Sequence, residues 1–445
     1  MKGLPKGTAL PAGMRPTLVS TALPFRRCAT CVRVPARKQH MLYPSLWTAL
    51  AATLIGVVLT SGCQSLPGTR QSGPWNISEL RKPPTVLWGN TNGLVQELYY
   101  VGEPLLGKPT RVFAYLARPT NSLDGKLPAM VLVHGGGGKA FKDWAQHWAQ
   151  RGYVALAMDL AGNGPTSRLP DGGPDQADTV KFRDFNESGA HDMWTYHAVA
   201  AVVRAHSLLR SLPEVDTDRI GITGISWGGY LTCIAAGVDT RFKVAVPVYG
   251  CGFLGENSVW KDKALAEMSP AARELWLRLF DPSRYVGAVR YPILFVNGTT
   301  DFAYPLDSYR KTYRLVPKKW RHVSVAVDRP HGHIWTFPEV DAFVAHVLNS
   351  GPALPGFGAP IVEGRHLVAP FTPARELKES LLCYTTDLGP WQKREWQTVP
   401  ARIEGGRIQG ELPISKRVVA FLAVRDAAGS HLSSEHVEVP ETSGE

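Results

Sequence analysis

The stretch "RIGITGISWGGYL", residues 219–231, sets Ser226 between Gly224 and Gly228 directly after an apolar run. A nucleophile elbow accounts for that pattern. A strand ends at Ile225, the chain turns sharply, and a helix starts after Trp227. The apex backbone is strained and leaves room only for small residues two positions to either side. "RIGITGI" reads as a buried strand and "GGYLTCIAAGV" as a helix of small residues that packs tightly beneath it. A glycine-rich turn also produces this motif by chance, so the rest of a catalytic group has to be found elsewhere in the chain.

The surroundings of the elbow predict the sheet it belongs to. "VQELYYVG" and "RVFAYLARP" read as an antiparallel pair, followed by the apolar strand "PAMVLVHG", the helix "FKDWAQHWAQRG" and the strand "YVALAMDL". "WTYHAVAAVVRAHSLLRSL" is a long amphipathic helix. After the elbow come "FKVAVPVYG", "YPILFVNG" and "HVSVAVD", interleaved with helical segments such as "PAARELWLRLF" and "DSYRKTYRLV". Continuous Val/Ile/Leu runs separated by helices predict a mainly parallel sheet covered on both faces. The Pro/Gly segment "GPALPGFGAP" at 351–360 reads as a linker, and the short alternating runs beyond it as a small β-sandwich. The expected organisation is a leader over 1–63, a catalytic domain over 64–350, the linker, and a C-terminal all-β domain over 361–445.

In such a sheet the active groups stand on loops at the carboxyl ends of the strands. "TTDFAYP" puts Asp301 after one strand, and "RPHGHIW" puts His331 and His333 after the next. The chain order Ser, Asp, His is that of the α/β-hydrolases. The chemistry needs each residue type, since a hydroxyl attacks, an imidazole takes its proton, and a carboxylate fixes the tautomer and stabilises the imidazolium. Asp307 is a rival acid, but it falls in the following helix. "VLVHGGGG", 131–138, brings glycines directly after a strand, where backbone amides approach a developing oxyanion. Gly136 or Gly137 with Trp227 is the expected hole. The same loop does not read as a phosphate cradle, because Lys139 is followed by Ala140 where a P-loop needs Ser or Thr. Tyr249, Trp260 and Phe302 are candidate pocket walls. Asp192 reads as a helix N-cap, Asp159 as a structural loop former, and His197 and His206 as packing or surface residues.

The formal net charge of +11 suggests nucleic-acid binding until it is located. Eight basic residues and no acid fall within the first 40 positions, which leaves 41 basic against 38 acidic residues in the rest. The excess belongs to the leader, so nucleic-acid binding loses its support. "LWTALAATLIGVVLT", residues 46–60, is an uncharged run of 15 residues, short of the roughly 20 that span a bilayer and suited to a signal-peptide core. The small residues before Cys63 resemble a bacterial lipoprotein box, with Leu59 one place further from the cysteine than usual. Export with lipidation of Cys63 is the expectation. Cys28 and Cys31 form a lone C-x-x-C without the further ligands of a zinc site. Cys233, Cys251 and Cys383 read as free buried thiols. Neither a metal nor a cofactor is expected.

"HGGGG", "GISWGGY", "VPVYGCGF", "NGTTDFAYPLDSYRKTYRLV" and "HGH" together resemble exported α/β-hydrolases of the acetyl xylan esterase-like and dienelactone hydrolase-like group, related to the prolyl oligopeptidase catalytic domain. The resemblance covers roughly residues 85–445. It implies a serine carboxylic-ester hydrolase acting on a small-molecule or polysaccharide ester. It also implies a register: in prolyl oligopeptidase-like sequences the catalytic histidine follows a strand-ending Val-Asp by five positions. Val327-Asp328 then points to His333, with His331 the runner-up. The chain departs from its relatives in continuing with "IWTFPEV" after the histidines. A serine peptidase of prolyl oligopeptidase type is one alternative reading. A surface carbohydrate-binding protein on an inactive scaffold is another.

Overall fold

The computed structural model describes residues 73–120, 125–415 and 417–440. The segment expected to be a leader, with Cys28, Cys31 and Cys63, lies outside the described residues. Nine strands form one sheet: β1 (Val86–Asn92), β2 (Val95–Val101), β3 (Arg111–Ala117), β4 (Leu127–Val133), β5 (Val154–Met158), β6 (Val215–Ile225), β7 (Val244–Val248), β8 (Ile293–Gly298) and β9 (Arg321–Ala326). Their spatial order is β1-β2-β3-β5-β4-β6-β7-β8-β9. From β5 to β9 neighbours run parallel, while β1, β2 and β3 pair antiparallel and β3 joins β5 antiparallel. The one strand of this sheet without a counterpart in the sequence pattern is β1. It is an exposed edge strand whose register against β2 shifts between Trp88 and Thr91, so no hydrophobic run announces it.

The parallel strands are apolar on both faces because helices cover both. Every residue of β5, β7 and β8 is buried, as are all but the first of β4. The helix Trp227–Val238 after the elbow is buried along its whole length, which its Gly, Ala, Cys and Thr side chains make possible. The helix Pro270–Phe280 starts with Ser269 as N-cap, its hydroxyl accepting from the Ala272 amide at 3.4 Å, and proline in the first turn. Asp192 does not cap the helix Trp194–Ser211 as expected. Met193 occupies that position, and the Asp192 carboxylate accepts from the Leu106 amide at 2.7 Å instead. Cys233, Cys251 and Cys383 are free and buried.

The segment expected as a linker already carries a short strand at Gly356–Phe357, and from there on two antiparallel five-stranded sheets face each other. One is β10 (Gly356–Phe357), β11 (Ile361–Glu363), β12 (His366–Thr372), β15 (Arg402–Glu404) and β16 (Arg407–Glu411). The other is β13 (Leu377–Thr385), β14 (Gln397–Pro400), β17 (Val418–Asp426), β18 (His431–Ser433) and β19 (Val437–Val439). Leu382 of β13 packs so closely over Gly410 of β16 that a Cβ there would stand 2.5 Å from Leu382. This sandwich docks on the outer edge of the large sheet. The Ser433 hydroxyl accepts from the Val325 amide of β9 at 2.9 Å, and Glu435 pairs with Arg314 and Arg321. The large sheet and the sandwich therefore form one compact unit.

Candidate active site

The chain leaves β4 for β5 on one side and later returns to β6 on the other, so the ends of β4 and β6 form a topological switch point. In open α/β sheets ligands bind in the crevice at such a point. Ser226 stands there with φ 62° and ψ −121°, outside the ordinary regions for a residue with a side chain. The surrounding packing explains why its neighbours are glycines. A Cβ on Gly228 would come within 2.0 Å of the Val133 carbonyl oxygen, and one on Gly224 within 2.5 Å of the Gly228 oxygen. Larger residues would force the helix off the strands and open the turn.

The loop after β4 lies against the elbow. A Cβ on Gly136 would meet the Trp227 ring at 2.7 Å, so glycine is what lets the two segments touch. His134 holds the base of this loop. Its Nε2 accepts from the Leu160 amide at 2.9 Å, which requires the proton on Nδ1, and Nδ1 donates to the Gly135 carbonyl at 2.8 Å. Burial pushes its pKa down and keeps that neutral tautomer. The Gly138 amide is engaged by the Gly135 carbonyl. Trp227 opens its helix, and the first amides of a helix have no intrahelical acceptor.

Asp301 follows β8 and is 2% exposed. One carboxylate oxygen accepts from the amides of Ala303 and Tyr304 at 2.9 and 2.7 Å; the other accepts from Nδ1 of His331 at 2.7 Å. The register implied by the resemblance favours His333. The carboxylate instead holds His331, two residues earlier. The path of the loop supplies the reason. Asp328 turns through a left-handed φ of 50°, with its amide on the Thr299 hydroxyl, and the Tyr249 hydroxyl donates to the Pro330 carbonyl at 2.8 Å. These contacts bring His331 to the acid. Asp307 takes no part; it accepts from the Asn257 amide and the Ser308 backbone.

His331 is clamped by rings: Tyr249 stacks at 4.5 Å and 23°, and Phe302 lies at 4.9 Å. Tyr249, a candidate for the pocket wall, is fully buried behind the imidazole instead. His333 does not turn away as alternation along an extended segment would have it. Both rings line one cavity with centroids 5.9 Å apart. The His333 Nε2 is buried, has no hydrogen-bond partner, and lies 2.8 Å from where a Gly135 Cβ would be. Burial and the two neighbouring histidines, His331 and His134, lower its pKa.

The cavity holds about 660 Å³ and is lined by Ser226, both histidines, Gly136, Gly137 and Trp227. Trp260 and Phe302 contribute its aromatic surface. Its far wall is the segment 176–181, which no motif marks in the sequence. Gln176 donates to the Gly138 carbonyl at 2.9 Å, tying this wall to the glycine loop. Lys181 is 3% exposed, sits 2.9 Å from Asp178, and lies over the rings of Trp227 and Trp194 at 4.3 and 5.5 Å. A lysine in a polar stretch gives no sign in the sequence that it will be buried. No cluster of three or more metal-ligating side chains occurs among the described residues.

Strand order, elbow, glycine loop and an acid–histidine pair at the strand ends define an α/β-hydrolase. Residues 94–286 match the family model of acetyl xylan esterase. Among curated proteins, the acetyl esterase Axe7A of Xylanibacter ruminicola is 29% identical over 142 residues, 30% of this chain and 31% of that protein. The uncharacterised protein PA2218 of Pseudomonas aeruginosa is 30% identical over 204 residues, 44% of this chain and 48% of that one. The chain thus spans about a third to a half of these relatives. Among solved structures, an acetyl xylan esterase from Paenibacillus sp. R4 is 20% identical with a TM-score of 0.49, covering 62% of this chain and 92% of that one. An acylaminoacyl peptidase from Pyrococcus horikoshii is 22% identical with a TM-score of 0.37, covering 56% and 38%.

Proposed function

We propose that the protein is a serine carboxylic-ester hydrolase that works through an acyl-enzyme on Ser226, with His331 as general base and Asp301 as its partner. One observation carries this reading. The Asp301 carboxylate holds Nδ1 of His331 at 2.7 Å, on a ring that lines the same cavity as the strained Ser226. The Asp301 bond keeps the proton on Nδ1 and so leaves Nε2 unprotonated to accept one.

In the first half-reaction Nε2 takes the hydroxyl proton as Ser226 Oγ attacks the ester carbonyl. The oxyanion is received by backbone amides of Trp227 and of Gly136 or Gly137, held in place before the charge develops. Collapse breaks the bond to the alcohol, which leaves with the proton from His331. Water, deprotonated by the same nitrogen, then attacks the acyl-serine, and collapse returns the proton to Oγ. Asp301 stays ionised and offsets the charge on the imidazolium. The reading includes export with a lipid on Cys63, which mass measurement of the mature N-terminus tests.

Hydrolysis of 4-nitrophenyl acetate beside a dipeptidyl 4-nitroanilide tests the reaction class. The ester is expected to turn over and the anilide to turn over far more slowly. Ser226→Ala removes one hydroxyl at a pocket apex and should lower kcat by about 10⁴ or more without unfolding the chain. A variant that keeps a tenth of the activity contradicts the nucleophile.

A further inference from the structure

Lys181 has no part in acyl transfer as derived above, yet its ammonium is one of the most confined charges in the molecule. Burying an ammonium is costly unless a partner compensates it. The pairing here is uneven. Among the described residues Asp178 is the one carboxylate within ion-pair reach of Lys181, and its side chain is 51% exposed against 3% for the lysine. Water therefore screens the carboxylate far more than the cation. Asp178 is also drawn the other way, since Trp260 donates its ring N–H to it at 3.2 Å. The indole faces of Trp227 and Trp194 supply the rest of the ammonium's surroundings. Burial pulls the Lys181 pKa down, and the contact with Asp178 and the charge of Asp175 oppose that shift.

The second cation of the cavity is Lys263. It is exposed at the rim, and among the described residues no carboxylate pairs with it. Against these two cations the cavity wall presents one acid, Asp178, while the Asp175 carboxylate acts on Lys181 from outside the lining. A wall carrying a neutral, hydroxyl-rich ligand would need donors and acceptors but no excess of charge. This one keeps a cation in low dielectric against the Trp227 ring, next in sequence to the serine, with its charge opposed only by the exposed Asp178 and the more distant Asp175.

We infer that the pocket selects esters carrying a carboxylate near the scissile bond, held by Lys181 with Lys263 adding to the field at the rim. The inference rests on the esterase reading and narrows its substrate class. The carboxylate belongs to the acyl or to the alcohol part, and two matched pairs of substrates separate these. 4-Acetoxybenzoate against its methyl ester puts the anion on the alcohol. 4-Nitrophenyl hemisuccinate against its methyl ester puts it on the acyl group. Each rate is divided by the corresponding hydroxide-catalysed rate to remove intrinsic reactivity.

In the wild type one anionic ester is expected to exceed its neutral partner in kcat/KM by about tenfold, the equivalent of one good charged contact. Lys181→Met should abolish that ratio, which is read within the variant so that any general loss of activity cancels between the two members of each pair. Lys263→Met changes an exposed side chain that cannot endanger the fold, and should reduce the ratio in part. Raising the salt should shrink the ratio as well, because rim charges are screened over roughly 10 Å at 0.1 M. If neither anionic ester is preferred in the wild type, or if the ratio ignores both salt and Lys263→Met, the inference is overturned and the esterase reading stands. If none of the four esters is hydrolysed, the esterase reading falls and takes the inference with it.

Discussion

At the scale of single residues, the chain states its nucleophile more plainly than its base. Gly224 and Gly228 are dictated by clearances of 2.5 Å or less to backbone oxygens, so the serine between them is legible from composition alone. Asp301 is legible for a similar reason, because it directly follows a strand. The histidine is different. His331 and His333 share type and loop, and the choice between them depends on the left-handed turn at Asp328 and on the Tyr249–Pro330 bond, neither of which leaves a local signature. His333 has a buried, unpartnered Nε2 beside the glycine loop, and its lowered pKa keeps it neutral around pH 7. It fits a polar contact to bound substrate, without an acid to orient it. His333→Ala is therefore expected to raise KM and lower kcat/KM by about tenfold, the cost of about 1.4 kcal/mol for one neutral contact. Steady-state kinetics on one ester, with KM and kcat read separately, checks this.

At the scale of elements, the parallel strands are legible because both faces are buried and their sequences are continuous apolar runs. The edge strand β1 is not, because its burial is slight and its sequence carries few apolar residues. The sandwich strands are readable one by one, but where they dock is not. From the sequence the sandwich is expected to be separable from the chemistry, since the triad precedes the linker. The structure places Ser433 on the outward amide of β9 and brings β18 alongside that edge, a position where an unpaired strand is a liability. Ser433→Ala should destabilise the chain by about 1–2 kcal/mol, because it strands the buried Val325 amide. Chemical denaturation followed by tryptophan fluorescence measures it. A chain ended near residue 355 should aggregate or unfold, because β9 carries the loop to His331. A soluble, fully active truncation would show that the docking is dispensable.

Considered as a whole, the molecule keeps several histidines neutral by burial. His197 is pushed down to about 4 and His431 to about 3, in both cases mainly by desolvation. His436 is driven well below its usual value for the same reason. A histidine with a lowered folded pKa binds its proton more readily in the unfolded chain. Stability is then full above the unfolded value of about 6.5 and is lost as pH falls below it. Each of these residues should cost roughly 1–2 kcal/mol by pH 5, so the Tm is expected to fall by several degrees between pH 7 and pH 5. A Tm that is flat or rising over that interval would show that these rings are not held neutral. The charge of the full chain is legible in a simpler way, since most of its basic excess falls within the first 40 residues.

The central claim, that Ser226, His331 and Asp301 form one acylating unit, is tested most directly by comparing kcat/KM of His331→Ala with that of His333→Ala on 4-nitrophenyl acetate. The two residues share a loop and a cavity, so loss of folding or of pocket shape should affect both alike. The account predicts that His331→Ala falls by about 10³ or more, as removal of a triad member does, while His333→Ala stays within roughly tenfold of wild type. An inactive His333→Ala beside an active His331→Ala would contradict it, and would mean that the 2.7 Å bond from Asp301 holds a histidine that does not catalyse.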